Sequence, residues 1–416
     1  MSARRLTFAW PALAALPVLL ATAGPPAAWA AAPATAPVTH ATDARAQPVT
    51  PAPRATAAAA PTRTASRTPP APSYADRADV RRFVAEVAAA HALDPEWVAR
   101  QLRQARHVGA VTRLIMPPPA GVAKNWAAYR ARFVEPQRVR AGVAFWQAHE
   151  AVLARAEAQY GVPAALIVGI VGVETFFGRV TGEFRTLDAL ATLAFDFPAG
   201  RSDRSAFFRD ELGHLLAWTA GEAIDPAGVR GSFAGAIGLP QFMPSSIRRW
   251  AVDYDGDGHV DLRRSAADAI GSVAHYLAAF GWQRDLPTHF AVTPPPEGPA
   301  RDELLGPDIV PSFSAAQFAE RGATLDDAGQ AHEGLLALVE VENGDAPRSH
   351  VAGTTNFFVV TRYNRSSYYA LAVIELGAAV AAERAAARAA TAGTEPEGAV
   401  PTRAAAEADP PAAATR

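Results

Sequence analysis

Glu174 is the residue in this sequence best placed for acid chemistry. It follows the run Ala164–Val173, AALIVGIVGV, which holds no polar side chain, and a helix that is apolar on every side is buried. A carboxyl at the C-terminal end of such a helix loses hydration, and the negative end of the helix dipole acts in the same direction, so both raise its pKa. A carboxylic acid still protonated near neutrality is a general acid. The competing reading is structural: Arg179 or another arginine pairs with the carboxylate, because ion-pair networks perturb carboxylates too. An ordinary glycosidase needs a second carboxylate, at roughly 5 Å for retention or 6.5–9.5 Å for inversion. Glu183 and Asp188 are the nearest candidates in sequence. Asp188, however, sits in the helix-starting run Thr186–Leu190, where capping of the helix N-terminus is sufficient to explain it.

Two further segments carry chemistry. In Gly231–Ser246, GSFAGAIGLPQFMPSS, small residues leave room for another chain to lie close, and Ser232 and Gln241 offer hydrogen bonds. Open backbone, neutral polar groups and aromatic walls suit a cleft for sugar rings, although a bland loop between helices has the same composition. In Asp253-Tyr254-Asp255-Gly256-Asp257-Gly258-His259-Val260-Asp261, three carboxylates at alternate positions precede a glycine, as in a calcium loop. The His259 carbonyl is the next expected ligand, with Asp261 acting directly or through water. Position twelve is Arg264 and not the bidentate glutamate of an EF-hand. An Asp/Gly-rich surface turn is the alternative.

The elements that must hold these residues are mainly helical. Val80, Phe83, Val84, Val87 and Ala88 recur at helical spacing, and Asp94-Pro95-Glu96 starts a second helix with a cap followed by proline. A Pro-rich break at Pro117-Pro118-Pro119 follows. The spacing predicts one long amphipathic helix from Pro136 to Tyr160, with Val139, Val143, Trp146, Leu153 and Ala156 facing the core. Beyond Gly281 the pattern changes: Thr288–Val292, Leu335–Asn343 and Thr354–Tyr363 are β-rich runs that can pair as a small antiparallel sheet. Ser314–Arg321 reads as a short helix between them, and Tyr368–Ala379 as a later one. There is no βαβ alternation, phosphate-binding glycine loop or G-x-S-x-G elbow.

Composition removes several function classes. Lys+Arg total 39 against 41 Asp+Glu, so no basic surplus draws nucleic acid or anionic membrane. Cysteine is absent, which excludes disulfides, thiol nucleophiles, Cys-bound zinc, iron–sulfur clusters and a lipidated cysteine within this sequence. Residues 1–30 pair Arg4-Arg5 with an apolar stretch and Ala28-Trp29-Ala30, the pattern of a cleaved signal peptide. Residues 31–72 are almost wholly Ala, Pro, Thr and Arg, the composition of a disordered tether, and 381–416 reads as a similar tail. The expectation is an exported, soluble, periplasmic protein without a stable membrane anchor.

Four stretches in order, GIVGVETFFGRVTGEFRTLDALATLAFDFP, GSFAGAIGLPQFMPSS, DGDGHVDL and TTNFFVVTRYNRSSYYALAV, resemble the membrane-bound lytic murein transglycosylase B family, including its soluble form. The likeness runs from about Tyr74 to Ala379. It implies a mainly α (α+β) fold: a lysozyme-like helical catalytic core over about 137–285, an additional helical subdomain, and a small β-containing subdomain over about 286–360. It places the family's single catalytic glutamate on Glu174 and its substrate-cleft positions on Tyr129, Arg204, Ser232, Gln241, Tyr276, Tyr363 and Asn364. The stretch between Pro198 and Phe207, around Arg204, is longer than is usual in the family. The implied reaction is cleavage of the MurNAc-β-1,4-GlcNAc bond of peptidoglycan to 1,6-anhydromuramyl ends, with no second carboxylate and no cofactor. A muramidase of similar fold, or a non-catalytic glycan-binding scaffold recruited by wall-synthesis proteins, are the alternatives. In this family the calcium loop is longer and Asp268 closes it. That makes Asp253, Asp255, Asp257, His259 and Asp268 the expected set for a structural Ca²⁺.

Overall fold

The structure, a computed structural model, describes residues 74–117 and 124–392. The expected signal peptide, the tether and the last part of the tail lie outside the described residues. The chain divides into two compact units, one of residues 124–183 and 236–392, the other of 74–117 and 184–235. This differs from a continuous core over 137–285, because 184–235 joins the N-terminal helices. Within that second unit Thr186–Phe195 packs on Ser205–Gly221, on Gly109–Leu114 and on the short turn Pro226–Gly228. A two-stranded antiparallel ladder, Phe184–Arg185 with Arg230–Gly231, ties the ends of the segment together.

In the first unit, the helix Ala164–Thr175 is buried along nearly its whole length, as its unbroken apolar sequence requires. It runs antiparallel to the C-terminal helix Ser367–Ala392, and glycine sets how close the two come. A Cβ on Gly169 would lie 2.2 Å from the Val373 carbonyl oxygen, and one on Gly377 would lie 2.2 Å from that of Ala165. The pairs 169/373 and 165/377 advance by one turn each, so the next position of the C-terminal helix on this face, Tyr369, comes level with Glu174.

The predicted long helix is two, Pro136–Ala148 and Glu150–Tyr160, broken at His149 with φ −123° and ψ 24°. The first packs on the C-terminal helix and the second on Ala266–Ala279, so no single straight rod satisfies both partners. Its buried residues are Gly142, Phe145, Leu153 and Ala156, while Val139, Val143 and Trp146 are only half-buried.

The small sheet is present, with strand order Thr324–Leu325, His289–Thr293, Ala346–Gly353, Ala337–Asn343, all antiparallel. Phe290, Leu304, Phe318 and Leu338 form its core. The short helix is Ala315–Glu320, closed by a capping box from Ser314 to Gln317. The third predicted strand, however, is the helix Thr355–Tyr363. Its β-branched and aromatic residues favour a strand, but tertiary context overrides propensity. Thr354 caps the helix by accepting from the Asn356 N–H, the Asn356 side chain bonds the Gln283 and Leu286 carbonyls, and Phe357, Val359 and Val360 enter the core.

The tail boundary also moves. The C-terminal helix continues past 381 to Ala392, where alanine is the best helix former and Arg384 and Arg388 both pair with Glu150. Among the described residues no single helix is long and apolar enough to cross a membrane.

Candidate active site

Glu174 stands in the last turn of Ala164–Thr175, surrounded by protein yet partly reachable from solvent. The Tyr369 hydroxyl donates to its Oε1 at 2.7 Å. Burial pushes its pKa up to about 7, and the Tyr369 hydrogen bond, by favouring the carboxylate, pulls the other way. Among the described residues no basic side chain forms an ion pair with it; Arg179 is exposed and lies over the Phe176 ring. The structural ion-pair reading therefore has no partner here.

The chain leaves the helix through a tight turn. Phe176 and Phe177 both take left-handed φ, 51° and 58°, a conformation uncommon for bulky residues. Two groups hold it. Phe177 packs where Cβ atoms on Gly142 and Gly172 would collide with its ring. Thr175 Oγ1 donates to the Leu239 carbonyl and accepts from the Gly178 N–H. The Leu239 bond reaches the second predicted segment, whose Gln241 also has positive φ, at 50°. Gln241 Nε2 donates to the Thr181 and Gly238 carbonyls. Both amide hydrogens thus brace the loop, and its Oε1 is the atom left to meet a ligand.

Tyr363, at the end of its helix, donates to the Pro240 carbonyl at 2.6 Å and stacks on Tyr369 with ring centroids 6.3 Å apart. Burial raises the pKa of both phenols well above the ordinary value, with the Glu174 charge adding to the effect. Tyr129 is pushed up to about 12 by burial and then by the same charge. The Glu174 charge thus bears on three tyrosines, one of them in direct contact with it. Tyr276 is set further back: 7% exposed, its hydroxyl donates to the Arg362 carbonyl and its ring packs on Tyr363 and Phe242. Its ring thus backs Tyr363. Asn364 is buried at the end of the Thr355–Tyr363 helix. Sequence reasoning missed Tyr369 and Thr175. The legible signal for Tyr369 was its spacing from Val373 and Gly377, one helical face that includes a glycine.

Arg204 and Ser232 belong to the other unit. Arg204 is half-buried over the Phe207 ring, and burial, then Arg201, lowers its pKa. Ser232 is half-buried in the turn closed by the Gly235 N–H to the Ser232 carbonyl. Asp188 does not cap its helix, whose N-cap is Arg185. It is buried, accepts from the Arg106 N–H at 3.0 Å and pairs with Arg185 at 3.3 Å. Glu183 is exposed. Among the described residues, burial and the Tyr369 hydrogen bond are what set the acidity of Glu174.

In the acidic loop, carboxylate oxygens of Asp253, Asp255 and Asp268 lie within 4.8 Å of one another. Asp268 is buried and accepts from the Tyr254 and Asp261 N–H groups. Burial raises its pKa, and the Asp255 charge adds to this. Asp257 and His259 are outside the cluster; the Asp257 carboxylate accepts from the His259 N–H. A convergence of three hard carboxylates, one of them buried, fits a calcium-type ion.

Residues 75–378 match the Transglycosylase SLT domain family. The chain is 39% identical over 320 residues to the membrane-bound lytic murein transglycosylase B of Escherichia coli (strain K12), covering 75% of this chain and 85% of that protein. The E. coli lytic transglycosylase Slt35 in complex with calcium superposes with a TM-score of 0.66 at 38% identity, over 75% of this chain and 95% of that one. The Pseudomonas aeruginosa protein SltB3 in complex with NAG-anhNAM-pentapeptide superposes at 0.61 and 28% identity, over 72% and 78%.

Proposed function

Because the chain belongs to the Transglycosylase SLT domain family and is a lytic transglycosylase acting on peptidoglycan, we propose that Glu174 alone serves as acid and base at the MurNAc-β-1,4-GlcNAc bond. The observation that carries this reading is a carboxyl whose pKa is lifted to about 7 by burial and restrained by Tyr369, with no second carboxylate bearing on it among the described residues. Such an acid is protonated often enough to donate and, once ionised, basic enough to take a proton back. Its Oε2 gives a proton to the bridging oxygen as the C1–O bond breaks, and the GlcNAc 4-hydroxyl leaves. The carboxylate then removes the proton from the muramyl 6-hydroxyl while that oxygen bonds to C1. The carboxyl is regenerated, no water is consumed, and the product ends in a 1,6-anhydro ring. Tyr129, Gln241 Oε1, Tyr363 and Asn364 are the proposed glycan contacts in the unit that carries Glu174; Arg204 and Ser232, in the other unit, are proposed on the family resemblance alone. Holding the 6-hydroxyl ahead of water is where orientation supplies rate, at its upper reach roughly 7–11 kcal/mol.

The test is digestion of purified sacculi in ¹⁸O-water. The expected muramyl ends carry no label and are one water lighter than a hydrolase product. Labelled reducing ends would make the protein a muramidase.

The acidic loop is proposed as a structural Ca²⁺ site held by Asp253, Asp255 and Asp268, supported by their convergence and by the calcium complex of Slt35. Asp257 and the His259 carbonyl complete the set when the loop closes. The N-terminal pattern supports export and work in the periplasm. Fractionation that finds full-length chain in salt-resistant membranes would overturn that placement.

A further inference from the structure

We propose that Tyr368, beside Tyr129, is a stacking platform for an additional saccharide unit of the glycan strand. The inference rests on the lytic transglycosylase reading and extends its binding site along one aromatic row. Tyr129 lies close enough to Glu174 for the carboxylate charge to bear on its phenol. From Tyr129 the row continues to Tyr368, edge to face with centroids 5.9 Å apart, while Trp126 stacks on Tyr129 at 6.3 Å and meets Tyr368 edge-on at 6.2 Å.

Trp126 is buried and serves as backing, whereas Tyr129 and Tyr368 are each half-buried and keep part of their surface in water. Tyr368 is also held in place. Its hydroxyl accepts from the Glu342 N–H at 2.7 Å, anchoring a residue of the C-terminal helix to the strand Ala337–Asn343. A fixed, partly exposed ring loses little freedom when a ligand settles on it, and it offers a broad apolar face with a polar rim.

The charges around the ring fit a neutral sugar better than an ion. The charges of Glu340 and Glu342 bear on the phenol, and Arg348, itself paired with Glu340, offsets them. Lys124, exposed and the sole lysine of the chain, places its ammonium 6.0 Å from the ring centroid, so a saccharide on that face displaces only a solvated cation. The occupant this selects is an N-acetylhexosamine unit continuous with the strand on Tyr129, not a separate anionic ligand.

The experiment compares wild type and Tyr368→Ala on peptidoglycan oligomers of two, three and four disaccharide repeats, reading kcat and KM for each. A wild-type kcat/KM that rises with length, and a variant that loses about 2- to 10-fold on the longer chains alone, is the expected result, the range an aromatic contact spans. Tyr368→Phe, which keeps the ring but not the anchor, should retain most of the length dependence. A Tyr368→Ala loss equal at every length would mark a merely structural residue and overturn the proposal, as would unchanged kinetics. Anhydromuramyl products from wild type and variant alike would leave the reaction assignment intact whichever way the length dependence falls.

Discussion

Glu174→Gln should make the protein more stable at alkaline pH while removing its activity. The rise of the Glu174 pKa from the ordinary 4.5 to about 7 means that the native state holds a proton which the unfolded chain has already released. Below about pH 4.5 both states are protonated, so the group's full contribution is present there. Stability attributable to it falls as pH rises between the two pKa values and levels off above pH 7. At 1.36 kcal/mol per pH unit the loss is about 3 kcal/mol. Glutamine is nearly isosteric, still accepts from Tyr369, and carries no charge to desolvate. Wild type and variant should therefore match within about 1 kcal/mol at pH 4.5, and the variant should be about 3 kcal/mol more stable at pH 8.5. Urea unfolding of both proteins at the two pH values measures this, because subtracting one protein from the other cancels every other titrating group. Sacculus digestion by the same preparation should show cleavage reduced by at least the roughly 10²–10⁴-fold that general acid catalysis contributes. A stability difference that does not change with pH would refute the buried, protonated acid, and near-normal turnover by the folded variant would refute its catalytic role.

Tyr369→Phe removes the hydrogen bond that restrains the Glu174 pKa. A bond to a charged group is worth roughly 1.5–3 kcal/mol, so the alkaline limb of the kcat/KM profile should move up by about 1–2 pH units, and an unmoved limb would sink this role. Calcium at a hundred times its Kd should add about 2.7 kcal/mol to stability and raise the melting temperature; Asp255→Ala should abolish the rise, and a wild type purified free of metal that shows no shift would count against the site. Gly169→Ala places a methyl where the Val373 carbonyl lies 2.2 Å away. Overpacking of this kind costs typically 1–3 kcal/mol and should here also lower activity by parting Tyr369 from Glu174, so a substitution without effect on either would contradict the close helix crossing.

Where local chemistry decided the outcome, the sequence was legible. A ten-residue apolar run opened by Gly161-Val162-Pro163 favours a buried helix, and a carboxyl at its end has few fates, so Glu174 was readable from one segment. The Asp94 and Ser314 caps are likewise written in consecutive residues. Where two distant segments compete for one, reading failed. Thr355–Tyr363 has the residues of a strand, but Thr354 and Asn356 spend their hydrogen bonds on the chain at 283–288, which fixes a helix there. That error reaches the site, because Tyr363 projects from the last turn of this helix and not from alternating strand positions. The break at His149 and the grouping of 184–235 with the N-terminal helices have the same origin in non-local packing. Tyr369 is the instructive case. Its position on Glu174 depends on Gly169 and Gly377 admitting two backbones within contact distance, and the two helices that carry them lie far apart in sequence. The residue that tunes the acid is thus specified by a glycine one to two turns along each helix, which is why substitutions at those glycines should be read in the pH profile as well as in the unfolding curve.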